Sequence, residues 1–147
     1  MTTTACLLCA DIGGTLVFQG EKFRVIRPDE PGFPAFYRVV WTDHVAEFSD
    51  LGPDDRNLCM AAVAGVELAL REQVQPTKIN LAALGNRVPH LHWHVIARFD
   101  WDSHFPAPVW SVAARPPNVS ALAGVAERRV RADLAIKSAL AALCRNV

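Results

Sequence analysis

No run in this sequence is long and apolar enough to cross a bilayer. The longest nearly apolar stretch, Ala61 to Leu70, contains Glu67 and falls well short of the roughly 20 residues a span requires. The opening residues Met1-Thr2-Thr3-Thr4-Ala5-Cys6 lack the basic start and long apolar core of a secretory leader, so a cytoplasmic location is expected. Charge of one sign is also missing: 15 Lys and Arg balance 15 Asp and Glu. Without a long-range field, neither nucleic acid nor a membrane is an expected partner, and any phosphate must be held by local groups. Cysteine is scarce, with four in the chain, and their placement does not resemble a secreted disulfide framework. Cys6-Leu7-Leu8-Cys9 reads as half of a metal site or as two buried thiols, while Cys59 and Cys144 fall in helical patterns and are expected to be inert. Internal repeats and low-complexity linkers are absent as well, so 147 residues suit one domain, 1–147, with core and arm over 1–110 and a helical tail over 111–147.

What is present is a mixture of short β-patterns and two helical ones, which predicts an α+β fold. Thr15–Phe18 and Lys22–Ile26 read as strands of a hairpin turning near Gln19-Gly20. Pro28, Pro31, Gly32 and Pro34 make an irregular loop before a third strand, Phe36–Trp41, which His44 follows closely. Gly52-Pro53-Asp54-Asp55 suits a helix start, with proline in the first turn and acidic groups at the positive end of the dipole. Val63, Val66, Leu70 and Val74 then recur at spacings of three and four, giving one apolar face up to a stop at Pro76. A fourth strand spans about Lys78 to Ala83 and leads through Gly85-Asn86 into a fifth. Asp102 to Trp110 predicts an ordered but irregular arm, and about Val119 to Leu143 a helix.

The fifth strand carries the chemistry. Three of the five histidines alternate in Val88-Pro89-His90-Leu91-His92-Trp93-His94-Val95-Ile96. On a strand they would share one face, with Leu91, Trp93 and Val95 anchoring the other. Two residues of strand advance about 6.6 Å, so the outer pair stands about 13 Å apart and all three cannot ligate one ion. Two could share a metal, leaving the remaining imidazole for acid, base or nucleophilic work near neutral pH.

His90-Leu91-His92-Trp93-His94-Val95-Ile96 resembles the signature of the histidine triad (HIT) family, and the order of elements from Cys6 to about Trp110 is similar to that family's. The resemblance implies a HIT-like fold: an antiparallel sheet of about five strands, one long helix after His44, a C-terminal helical tail and a homodimer. It implies that His92 attacks the α-phosphorus of a nucleotide and that water then releases the mononucleotide from the nucleotidyl-histidine. No catalytic cofactor is needed for such a step. His94 would serve the phosphoryl oxygens or the leaving group. Asn80 and Asn86 match positions where the family places amides near the α-phosphate. Arg87 departs from the Ser or Thr often found there, and would clamp a distal phosphate or point to solvent. Some members hold structural zinc on a close Cys pair, a preceding histidine and the first triad histidine, which here implies Cys6, Cys9, His44 and His90.

The arm is similar to one in a bacterial branch described as diadenosine polyphosphate hydrolase-like. His104 would contact a second phosphate or nucleoside and Trp110 a base, or Phe105 and Trp110 would pin the arm to the sheet or to a dimer partner. The expected function is hydrolysis of a phosphoanhydride or phosphoramidate, with a dinucleoside polyphosphate favoured. The alternatives are a nucleotidyl transferase or phosphorylase, and a non-catalytic nucleotide-binding protein.

Overall fold

Alternation of apolar and polar residues sets the sheet, and its two faces take different work. The computed structural model describes residues 5–147, so the part of the leader reading that falls on residues 1–4 lies outside the described residues. Strands β1 (Thr15–Gln19), β2 (Phe23–Arg27), β3 (Phe36–Trp41), β4 (Lys78–Ala82) and β5 (His92–Arg98) form one sheet in the order β1-β2-β3-β5-β4. Every neighbouring pair is antiparallel. This is the five-stranded antiparallel sheet with helices that the sequence implied.

Helices close one face. In α2 (Pro53–Gln73), Pro53 occupies the first turn with Asp54 and Asp55, and Cys59, Ala62, Val63, Val66, Ala69 and Leu70 are buried. Their spacing of three, four and seven makes a single stripe. The chain leaves the helix through Gln75 at a φ of 55° before Pro76. In α3 (Val119–Arg145), the Asn118 side chain caps the start by accepting from the Ala121 N–H at 3.1 Å, and Val125, Ala132, Ile136 and Leu140 are buried. A Cβ on Gly65 would stand 3.2 Å from the Leu140 side chain, so a missing side chain on α2 lets the two helices approach there. Both helices pack with Phe23, Val25, Tyr37, Val39, Trp41, Val95 and Ala97 into the main core. Each fully buried Val or Phe side chain among them contributes about 1.5–3 kcal/mol. Tyr37 also reaches α3, donating to Asp133 at 2.6 Å, and Arg27 pairs with the same carboxylate at 3.2 Å.

The opposite face carries Ile26, Arg38, Val40, His92, His94, Ile96 and Arg98, as the β2–β3 and β3–β5 registers dictate. One difference from the sequence reading matters here. The histidine strand begins at His92 and leaves His90 outside it. Pro89 has no N–H for a ladder, the His90 N–H turns back to the Val88 carbonyl at 2.8 Å, and the Leu91 N–H goes to Val45 at 2.7 Å. His90 therefore sits on a bend before the strand and is free to aim away from its two neighbours. Among the described residues no helix is long and apolar enough to cross a membrane.

Candidate active site and metal centre

The N-terminal segment is held to the sheet by Arg24 and by the packing of Cys6 and Leu8 against Ile26 and Val40. Arg24, on the face away from the helices, donates to the carbonyls of Leu8 at 2.7 Å, Asp11 at 3.1 Å and Ile12 at 3.2 Å. This clasps the short helix α1 (Leu7–Ala10) and presents Cys6 and Cys9 to the histidines. The ligand atoms of Cys6, Cys9, His44 and His90 all lie within 4.8 Å of one another, a cluster that could hold a metal ion. His90 Nδ1 stands 3.5 Å from Cys6 Sγ, 3.4 Å from Cys9 Sγ and 3.2 Å from His44 Nδ1, and Cys9 Sγ lies 3.4 Å from His44 Nδ1. The other nitrogen of His90, Nε2, donates to the Trp41 carbonyl at 2.6 Å. That bond fixes the tautomer, so Nδ1 turns a lone pair toward the sulfurs, as an outer partner does for a ligating histidine. Burial pulls the His90 imidazole below its usual value, against the opposing Trp41 carbonyl, and His44 and Arg24 lower it further. A neutral ring is the form that can ligate.

One step along the chain, His92 is held in the complementary way. Its Nδ1 donates to the His90 carbonyl at 2.6 Å, which leaves Nε2 with its lone pair. Burial lowers this imidazole, the His90 carbonyl opposes that shift, and Arg38 and His90 add to it. His94 follows on the same face, its ring 4.9 Å from that of His92 and set edge-on. Phe36 and Trp110 flank it at 5.5 and 5.1 Å. Burial first, then His92 and Arg38, push His94 down to about 3. It is neutral at physiological pH. Its Nδ1 is sealed without a hydrogen-bond partner among the described residues. An orphaned acceptor is tolerated better than an orphaned N–H, so the ring proton belongs on Nε2.

His92 and His94 open into a cleft of about 950 Å³, lined also by Arg38, Glu30, Asn86, Arg87 and Trp110. Gly85, at a φ of 67°, makes the turn that carries Asn86 and Arg87 to its rim. Asn80 and His104 do not line this cleft. Asn80 Oδ1 accepts from Arg98 at 2.8 Å, and His104 Nδ1 lies 2.8 Å from Ser103 Oγ, beside Phe33. Both belong to the base of the arm. Its anchor is the fully buried Arg98, which donates to both Asp102 oxygens at 2.8 and 3.1 Å and to the Ala107 carbonyl at 2.8 Å. Burial alone would raise the Asp102 carboxyl. The Arg98 bonds and the N–H groups of His104, Phe99 and Phe105 outweigh it and hold the group below its usual range. Arg115 ties the far end of the arm back to the carbonyls of Asp102 and Phe105. Trp110 is thereby set against His94 while remaining half exposed.

Arg24, Arg38 and Glu30 had not stood out in the sequence. Nothing local marks them, and only the register of β2, β3 and β5 shows that Arg24 and Arg38 lie on the histidine face.

A histidine pair at the cleft stands beside a Cys/His cluster, on the face of the sheet opposite α2 and α3. The HIT domain model matches residues 10–101, and the chain belongs to that family. A histidine triad protein from Bradyrhizobium japonicum is 26% identical, with a TM-score of 0.65 over 82% of this chain and 91% of that one. A histidine triad protein from Marinobacter aquaeolei shares the fold at 22% identity and a TM-score of 0.69, over 90% and 92% of the two chains. A Zn-bound histidine triad family protein from Mycobacterium smegmatis does so at 21% identity and 0.63, over 99% and 100%. No curated protein matches the chain significantly.

Proposed function

We propose that the protein is a nucleotide hydrolase that cleaves at the α-phosphate through a nucleotidyl-His92 intermediate. The observation that carries the reading is the 2.6 Å bond from His92 Nδ1 to the His90 carbonyl, which leaves Nε2 bare in a cleft of nucleotide size. A neutral imidazole with a fixed lone pair splits one difficult displacement into two easier ones. In the first, Nε2 forms a bond to phosphorus while the bond to the leaving oxygen breaks, and that oxygen departs with the electron pair. His94, with its proton on Nε2, donates to the departing oxygen or to the phosphoryl oxygens. In the second, a water oxygen forms a bond to phosphorus while the phosphorus–Nε2 bond breaks and its electron pair returns to His92; where His94 has given its proton to the leaving oxygen, the water restores it, and the mononucleotide departs. Asn86 and Arg87 at the rim supply further donors. The favoured substrate is a dinucleoside polyphosphate of the diadenosine tetraphosphate type, with Trp110 available to stack on a base. In this reading Asn80 and His104 act through the arm.

The cluster of Cys6, Cys9, His44 and His90 is assigned to structural zinc. A tetrahedral ion with Zn–N about 2.0 Å and Zn–S about 2.3 Å sets its nitrogens about 3.3 Å apart and nitrogen from sulfur about 3.5 Å. The observed 3.2 Å and 3.4–3.5 Å fit that spacing. When bound, the ion crosslinks the N-terminal segment to the bend at His90 and does no chemistry on the nucleotide. The Zn-bound Mycobacterium smegmatis protein shows that a chain of this fold can carry the metal. A single domain over 1–147, a homodimer and a cytoplasmic location complete the proposal. Leu81, exposed on the edge strand β4, is available to such a dimer.

The test is incubation with dinucleoside polyphosphates, nucleoside phosphoramidates and an added phosphate acceptor, followed by product identification. A mononucleotide product that is lost in His92→Ala, with nucleotide binding retained, is expected. Near-normal turnover in His92→Ala, or transfer to the acceptor in place of hydrolysis, contradicts the reading.

A further inference from the structure

The cleft floor holds a cation that the two-histidine chemistry leaves unused. Arg38 lies on β3 directly across from His94 in the β3–β5 register. Its side chain is 24% exposed, lines the cleft and makes no hydrogen bond among the described residues. Nε is sealed without a partner. The nearest carboxylate oxygen, Glu30 Oε1, stands 3.7 Å from Arg38 Nη2, too far for a hydrogen bond. A half-buried guanidinium with its donors unspent is costly unless something else meets them.

Glu30 has the opposite character. It sits on the β2–β3 loop, held there by the Phe33 N–H on its carbonyl at 3.0 Å, and its side chain is 39% exposed. Its carboxylate offsets part of the Arg38 charge. Arg87, by contrast, is exposed at the rim.

We propose that Arg38 is a clamp for the phosphate next to the one attacked, and that the cleft is built for leaving groups that carry their own negative charge. Phosphoanhydrides are then the substrate class, and phosphoramidates, whose leaving group is an amine, gain nothing from Arg38. This rests on the function proposed above for the position of the attacked phosphorus. A forked guanidinium suits the task because two parallel N–H groups match two phosphate oxygens. Its place beside His94 puts both groups on the leaving side of His92. Glu30 acts as the gate: its carboxylate competes for Arg38 and repels an anion that fails to displace it.

The experiment uses the full chain and two probes, adenosine 5′-diphosphate and adenosine 5′-monophosphate, with binding measured by calorimetry. The native chain is expected to bind the diphosphate at least about tenfold more tightly, about 1.4 kcal/mol. Arg38→Met should bring that ratio close to one, Arg38→Lys should keep part of it, and Glu30→Gln should raise it above the native ratio. A purely structural role for Arg38 would not make Glu30→Gln bind better than the native chain. No diphosphate preference in the native chain, a preference unchanged in Arg38→Met, or weaker diphosphate binding in Glu30→Gln overturns the proposal. Turnover measured in the same samples separates the two ideas: a retained diphosphate preference without turnover contradicts the hydrolase reading and leaves the clamp standing.

Discussion

Replacing Asp102 by alanine removes one carboxylate and leaves a guanidinium stranded. Arg98 is 1% exposed and Asp102 3%, so the pair is shielded from solvent. Asp102 accepts from Arg98 Nε and Nη2 and from the backbone N–H groups of Phe99, His104 and Phe105. After the substitution Arg98 retains Asn80 and the Ala107 carbonyl, both neutral acceptors. Breaking a buried pair from one side costs about 3–5 kcal/mol, because the remaining charge stays desolvated. For a domain with a total stability of about 5–15 kcal/mol this is a large share. Urea unfolding followed by circular dichroism should show it: with a slope of about 2 kcal/mol/M, a loss of about 4 kcal/mol moves the midpoint down by about 2 M. Adding Arg98→Met to Asp102→Ala should recover at least about 1 kcal/mol, since no buried charge is then left alone. A single-variant loss below about 1 kcal/mol, or no recovery in the double variant, would refute a shielded ion pair as the anchor of the arm.

Cys6→Ala should lose bound zinc and melt at a lower temperature, by metal analysis and calorimetry, while the turnover of protein that remains folded changes less; unchanged metal content contradicts the four-ligand site. Stability should also fall on acidification. His94 is held at about 3 against an unfolded value of about 6.5, so its contribution is complete above about pH 6.5 and is lost as pH drops toward 3. Within that window it adds about 1.4 kcal/mol per pH unit, and His94→Asn should flatten the profile by that amount in denaturant titrations at several pH values. Trp110→Ala opens one side of His94 to water, which should raise the pKa of that imidazole in a proton NMR titration; an unmoved pKa would show that the contact does not desolvate the ring.

The sheet was legible because each strand obeys a local rule. Phe36–Trp41 alternates between the core and the histidine face along its length, and its bounds agree with the sequence pattern. The stripe through Val63, Val66 and Leu70 likewise marks the buried side of α2. Alternation did not show the bend at Pro89, which comes from a missing N–H and from bonds to Val88 and Val45. Alternation alone puts the triad on one strand face, whereas His90 turns to the cysteines, as the family resemblance implied, and His92 and His94 to the cleft. Asn80 was visible as an amide before the triad, but its partner Arg98 is reached only across the β4–β5 pairing, and no spacing along the chain announces that contact. Arg38 and Glu30 escaped notice for the same reason. A loop carboxylate and a strand guanidinium meet through tertiary structure, with no motif between them.

The most direct measurement is of the bond at His92. Turnover of a dinucleoside polyphosphate labelled at its α-phosphorus would be stopped with denaturant within one cycle, under conditions that preserve a phosphorus–nitrogen bond, and the protein digested and sequenced by mass spectrometry. The label should appear as a nucleotidyl group on the peptide carrying His92, and should be absent from His92→Ala. Release of labelled mononucleotide with no label on His92 at any time in the cycle would contradict covalent catalysis at this site.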